Sequence, residues 1–145
     1  MTSTGSMRMR GSPSAHREGD DAHSVLVRQL GDACLVRDAV ALTRLLTPDV
    51  VVIVDGGGRP AITSEPAHGV HEGLRLLLQL LTALDAVSTT EHSVNGHPGI
   101  VLRCRGSVVG IICIGIDPGT ERAERVWVVA NPDKLGTWNR GQLAS

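Results

Sequence analysis

The near absence of aromatic side chains is the feature that most constrains how this chain can fold. Its 145 residues include no Phe and no Tyr, and Trp127 and Trp138 are the only large rings. Hydrophobic residues nevertheless make up 41% of the chain, and most of them are Val, Leu and Ile. A domain near this length buries roughly 68–70% of the surface of its unfolded chain. We therefore expect one domain with an aliphatic core.

Charge, length and cysteine content exclude several classes of protein. The net charge of -1 and the lack of aromatic stacking residues argue against a nucleic-acid partner. No apolar run reaches the roughly 18 residues of a transmembrane helix, and the N-terminus has no secretory signal pattern. Three cysteines without a CxxC pair predict neither a disulfide framework nor a zinc site. We expect a cytoplasmic protein without cofactor or metal; its excess of Arg over Lys is typical of GC-rich actinobacterial genes.

Hydrophobic periodicity divides the chain into a helical first half and a strand-rich second half. Three-and-four spacing of apolar residues predicts helices, and β-branched or alternating runs predict strands. Polar, aperiodic ends predict disordered tails over 1–21 and 137–145, around a domain over 22–136. The predicted helices cover 23–37, 38–46 and 71–84, and the predicted strands cover 50–54, 86–95, 100–105, 108–116 and 122–130.

This element order predicts an α+β fold. The last four strands are joined by short turns, which is typical of an antiparallel meander. A sheet with one apolar face needs a cover, and the three helices of the N-terminal half can supply it. We therefore expect a cone-shaped, curved antiparallel sheet wrapped over three helices, with a ligand pocket in the open end of the cone.

Two motifs make the chain resemble a known superfamily. The segments VVVIVDGGGRP (50–60) and VWVVANPDKL (126–135), together with VNGHPGIVLR (94–103), resemble the SnoaL-like domain found at the C-terminus of a group of extracytoplasmic-function sigma factors. This domain belongs to the nuclear transport factor 2-like superfamily, whose fold is a cystatin-like roll. The resemblance covers roughly residues 22–136. It implies the cone and its pocket, and a homodimer that pairs through the sheets.

The resemblance leaves two classes of function open. The sigma factors carry promoter- and polymerase-binding regions before this domain, whereas a tail over 1–21 is expected here. Stand-alone SnoaL-like proteins are often polyketide cyclases, epoxide hydrolases or isomerases. We therefore expect an enzyme that closes rings in a hydrophobic polyketide-type molecule of natural-product biosynthesis, including by cycloaddition, mainly by holding its substrate folded. The alternative is a non-catalytic ligand-binding or regulatory module related to the sigma-factor domain.

Two residues are candidates for acid–base catalysis. Asp55 ends a buried strand, so partial burial is expected to raise its pKa and suit it to act as a general acid or base. Alternatively, Asp55 accepts backbone N–H groups of the glycine-rich turn that follows. His92 alternates with Thr90 and Val94 on a predicted strand, where it either faces the cone or lies on the surface. No HxxxH or HExxH motif suggests a metal site.

The candidates for substrate binding lie mainly on strands. Trp127 is expected either to form the floor of the cavity or to fill the core. Asn131 ends the same strand and can reach the pocket rim, although Asn-Pro also forms turns. Asp133 and Lys134 are expected to form a surface pair of little energetic weight. The remaining candidates to line the cone are Leu77, Leu102, Cys104 and Val129.

Overall fold

The structure, a computed structural model, describes residues 11–58, 62 and 65–144. Its elements are α1 (Gly11–Leu35), α2 (Ala39–Leu45), β1 (Leu46–Asp55), β2 (Ala67–His68), α3 (Val70–Leu84), β3 (Ser88–Val94), β4 (His97–Cys104), β5 (Ser107–Asp117), β6 (Arg122–Val129) and α4 (Pro132–Ala144). The expected α+β architecture is confirmed. None of the described helices is both long and apolar enough to cross a membrane.

One sheet of six strands forms the body of the fold, in the order β2-β1-β6-β5-β4-β3. The predicted antiparallel meander of β3 to β6 is present. The sheet as a whole is mixed rather than antiparallel, because β1 pairs with β6 in parallel, with Val52 opposite Val126 and Asp55 opposite Val129. A Val-rich strand has the same alternation in both directions, so its sequence does not set its orientation. β1 also starts earlier than expected, at Leu46, and continues through Pro48 with an irregular register before Val51.

The inner face of the sheet packs on α1 and α3. Val126 and Val128 are fully buried in β6, whereas Trp127 between them points to the other face and is 37% exposed. Helix α3 lies close to β1, because a Cβ at Gly73 would be only 2.9 Å from Cγ2 of Val52. The inner cluster is aliphatic apart from Cys34. Its fully buried larger members include Leu30, Leu42, Leu46, Leu77, Leu81, Ile100, Leu102 and Ile112.

A second, smaller cluster lies on the outer face of the sheet, where α4 covers part of it. Leu135 is buried there against strand residues, and Trp138 packs beside it. The side-chain amide of Asn139 accepts a hydrogen bond from the backbone N–H of Val108 (2.8 Å) and donates one to its carbonyl (3.3 Å). The expected C-terminal tail over 137–145 is therefore replaced by a docked helix up to Ala144.

The expected N-terminal tail also differs from the structure. Helix α1 begins at Gly11 rather than near residue 23, so residues 11–21 extend the helix that Leu26 and Leu30 anchor in the core. Once a helix is nucleated by packing, each added residue gains a backbone hydrogen bond at low cost, even without an apolar stripe. Residues 1–10 lie outside the described part of the chain.

Candidate functional site

The DGGG motif (55–58) and the NPDKL motif (131–135) meet at one end of the sheet. Because β1 and β6 are parallel neighbours, their carboxyl ends lie side by side. Lys134 Nζ donates to Oδ2 of Asp55 over 2.6 Å, and the backbone N–H of Gly57 donates to its Oδ1 over 3.2 Å. Asn131 Oδ1 accepts from the N–H of Asp133 at the start of α4. We name Asp55, Gly57, Asn131 and Lys134 the β1–β6 latch.

The latch keeps Asp55 ionised. The hydrogen bond from Lys134 lowers the pKa of the Asp55 carboxyl below its usual value, and the Gly57 N–H, the charge of Lys134 and Asn131 lower it further. The expectation of a raised pKa is wrong, because the side chain is about one-third exposed and surrounded by donors. The alternative interpretation applies, in which Asp55 holds its own turn. The expected Asp133–Lys134 pair is replaced by Asp55–Lys134.

Gly57 explains why the two motifs occur together. Its φ of +68° lies in the left-handed region, which favours glycine. A Cβ at this position would lie only 2.6 Å from Oδ1 of Asn131. The glycine of the first motif thus leaves room for the amide of the second. The latch is a structural junction that attaches the start of α4 to the end of β1.

His92 lies far from the latch and does not share a site with Asp55. It is an exposed residue of β3, at the opposite edge region of the sheet from β1. Four strand spacings separate β1 from β3, which corresponds to about 19 Å. The His92 ring contacts the Trp138 ring edge-on, with centroids 5.9 Å apart. This places His92 against α4, on the outer side of the sheet.

The proposed binding residues separate into three environments. Trp127 lies on the outer face opposite Cys113, and Val129 packs against the outer cluster. Cys104 ends β4, where its Sγ lies 3.6 Å from Oδ2 of Asp85. Of the candidate residues, Leu77 and Leu102 belong to the interior, and both are completely buried. The expectation that Trp127 forms the floor of the cavity therefore differs from its position on the outer face.

The interior between the sheet and the helices is chemically uniform. Among the described residues, the buried positions include no carboxylate and no imidazole. Cys34 is the titratable group there, and burial raises the pKa of its thiol to about 12, although the nearby charge of Arg37 opposes this shift. The hydroxyl of Thr47 is buried without a hydrogen-bond partner in the described part of the chain. Such an interior excludes water and offers little acid–base chemistry.

Two features of the structure were not predicted from the sequence: a polar groove and the part-buried hydrogen bonds of Arg37. A groove of about 390 Å³ lies between β2 and α3, and the ion pair of Glu72 with Arg75 (2.8 Å) lines it. Arg37 donates to four backbone carbonyls at the ends of α1 and α3. Glu72 and Arg75 are neighbours on α3, but the groove also needs β2 beside that helix. The Leu81 and Ala86 carbonyls lie 44 and 49 positions from Arg37, so no local pattern indicates those bonds. Residues 11–58, 62 and 65–144 contain no group of three or more His, Cys, Asp or Glu side chains that could hold a metal ion.

Comparison with known proteins identifies the fold. No protein-family model and no curated protein matches the sequence. The extracytoplasmic function sigma factor SigJ of Mycobacterium tuberculosis is similar in structure, with a TM-score of 0.61, 23% identity, and coverage of 86% of this chain and 48% of that chain. A provisionally named ketosteroid isomerase of Kribbella flavida DSM 17836 has a TM-score of 0.54 and 16% identity, over 76% of this chain and 78% of that one.

A third similar structure is a provisionally named SnoaL-like polyketide cyclase of Shewanella denitrificans OS-217. Its TM-score is 0.50 at 11% identity, and the match covers 82% of this chain and 96% of that one. The fold is therefore that of the SnoaL-like and ketosteroid isomerase-like proteins within the cystatin-like, nuclear transport factor 2-like class. The chain spans about half the length of the sigma factor that it matches.

Proposed function

We propose that this protein binds a hydrophobic, polyketide-type small molecule between the sheet and helices α1 and α3, and promotes ring formation or isomerisation there. The observation that carries the proposal is the inner face of a SnoaL-like fold, which is aliphatic apart from Cys34. The similar structures named as a polyketide cyclase and as a ketosteroid isomerase support the class of ligand. Leu77 and Leu102 would contact the ligand, because both belong to the inner cluster.

The proposed mechanism relies on positioning rather than on proton transfer. Asp55 is ionised and paired with Lys134, and His92 lies against α4, so neither faces the interior. An aliphatic interior that admits a flexible substrate would still hold its reacting carbons together. Such positioning lowers a barrier by roughly 7–11 kcal/mol when the geometry is good. A pericyclic ring closure suits this site, because it redistributes electrons within one molecule without an external acid or base.

Binding is tested with the fluorescent probe anilinonaphthalene sulfonate, displaced by a steroid. Leu102→Phe adds volume to the interior, whereas Val25→Phe makes the same kind of change at a position that is 44% exposed. We expect Leu102→Phe to weaken probe binding by at least about tenfold, equivalent to 1.4 kcal/mol. Val25→Phe should leave it unchanged. Circular dichroism establishes that both variants fold. Equal binding by both variants, or no saturable binding by the wild type, contradicts the proposal.

Catalysis is tested with two substrates of different chemistry. A linear molecule carrying a diene and an alkene tests cycloaddition, and a β,γ-unsaturated ketosteroid tests acid–base isomerisation. We expect acceleration of the first reaction, with Asp55→Asn and His92→Gln as active as the wild type. Leu77→Phe should lose the activity. Loss of turnover in Asp55→Asn, with the fold intact, would instead show that an acid–base group carries the reaction.

The second candidate is a non-catalytic regulatory module. Two observations favour it. The DGGG and NPDKL motifs, which resemble the sigma-factor domain, hold the fold together through the latch. SigJ contains a similar fold over about half of its chain. This candidate predicts no saturable probe binding and no turnover, together with binding to another protein. Association of two copies of this chain is proposed for either function.

A further inference from the structure

The corner where α1 passes into α2 exposes several large aliphatic side chains. Val36 is 70% exposed, Val40 is 62% exposed and Val87 is 56% exposed. The guanidinium of Arg37 donates to the carbonyls of Leu35 and Ala86, so it brings the start of β3 to the end of α1. Val36 and Val87 are the chain neighbours of these two bonded residues. We name Leu35, Val36, Val40 and Val87 the corner patch.

A groove of about 380 Å³ adjoins the corner patch. Ala33, Val36, Ala41 and Leu45 form its apolar lining between α1 and α2. The charged residues of the lining are Asp32, Asp38 and Arg44. Asp38 is occupied as the N-cap of α2, where it accepts from the N–H of Ala41.

Asp32 and Arg44 make no ion pair within the described residues, although they line the same groove. Opposite charges that are too far apart to pair within one molecule can pair between two molecules. In a twofold dimer, residue i of one copy contacts residue j of the other, and the reverse contact is made at the same time. One twofold arrangement can therefore satisfy both Asp32 and Arg44 twice.

We propose that a second copy of this chain docks on the corner patch, with Asp32 of each copy paired with Arg44 of the other. The apolar residues of the patch form the centre of the contact and the ion pairs form its rim, as is typical of protein interfaces. The outer sheet face is a poorer surface for self-association, because α4 already covers part of it. This surface differs from the sheet pairing that the sequence resemblance implies. It gives a location to the association of two copies proposed above, and it does not depend on the proposed ligand binding or catalysis.

Charge reversal tests the pairing directly. Sedimentation equilibrium over a concentration series should show a dimer for the wild type. Asp32→Arg alone and Arg44→Asp alone should each weaken the dimer, because each places like charges together twice. The double variant Asp32→Arg/Arg44→Asp should restore dimerisation, since it exchanges the two charges within each pair. A merely structural role of either residue would not produce this restoration.

Val36→Asp tests the apolar centre, with Trp127→Asp as the matched change on the outer sheet face. Loss of one buried valine costs about tenfold in affinity, and a twofold interface contains the substitution twice, so we expect at least about 100-fold weaker self-association for Val36→Asp. Trp127→Asp should still dimerise. The proposal is overturned by a monomeric wild type, by a double reversal that stays monomeric, or by a dimer that Trp127→Asp abolishes and Val36→Asp leaves intact.

Discussion

Arg37 offers the most quantitative test of how this fold is held together. Its guanidinium joins the end of α1 to the end of α3, through bonds of 3.1 Å to the Leu81 carbonyl and 3.2 Å to the Ala86 carbonyl. Two further bonds go to the carbonyls of Cys34 and Leu35. The bond to Cys34 is long, at 3.4 Å, and the bond to Leu35 is exposed, so water replaces both at little cost.

The stability loss in Arg37→Ala follows from the two shorter part-buried bonds, to the carbonyls of Leu81 and Ala86. A hydrogen bond to a charged group contributes about 1.5 kcal/mol at the low end of its range, so removing both should cost about 3 kcal/mol. For a chain of this length, the corresponding fall in Tm is about 10 °C. Arg37→Lys should recover less than half of the loss, because one ammonium cannot reach carbonyls that two guanidinium nitrogens share.

The backbone at Arg37 provides an internal control. Its φ of +54° lies in the left-handed region, which costs a non-glycine residue about 1 kcal/mol. Arg37→Gly should therefore be about 1 kcal/mol more stable than Arg37→Ala, although both lack the guanidinium. Arg28→Ala, on the exposed side of α1, should stay within about 0.5 kcal/mol of the wild type. Urea unfolding measures all four variants, and a loss below about 1 kcal/mol in Arg37→Ala would refute the reasoning.

Three further predictions concern the latch and the buried thiol. Gly57→Ala should destabilise the protein by about 1–3 kcal/mol in urea unfolding, more than Gly58→Ala, because both glycines have positive φ but only the first would press a Cβ against a facing amide; equal losses would contradict this. Lys134→Ala should raise the pKa of Asp55 in an NMR titration, because it removes the main cause of its lowering; an unchanged pKa would show that the latch is not formed. The pKa of Cys34 is raised to about 12 in the folded state. The contribution of this thiol to the free energy of unfolding is therefore complete below the ordinary pKa of 9.0, and it is lost as the pH rises from there through about 12. Cys34→Ala should flatten this alkaline loss of stability in a series of urea unfolding curves.

The candidate site shows where motif reasoning succeeds and where it does not. The turn-holding alternative for Asp55 was available from the three glycines that follow it. Its partner Lys134 lies 79 positions away, and no local pattern indicates that pairing. Trp127 was ambiguous because a β-strand presents alternate residues to opposite faces, and a Val-rich strand does not reveal which face is covered. His92 has the same ambiguity at the edge strand.

Local periodicity by itself determined the kind and order of most elements. The leucine spacing of α3 and the β-branched run of β1 each indicate a conformation. The residues that share one buried face of a helix or strand are close together in the chain, so their spacing reveals the type of element. The absence of Phe and Tyr likewise determined that the core is aliphatic.

Only the tertiary structure decided how these elements meet. The parallel pairing of β1 with β6 creates the latch, and α4 is held by Leu135 and Asn139 against strands distant in sequence. A segment such as 132–144 has weak helical periodicity, so its conformation depends on contacts that form after the sheet exists. These contacts join segments that are distant in sequence, so no single stretch of the chain predicts them.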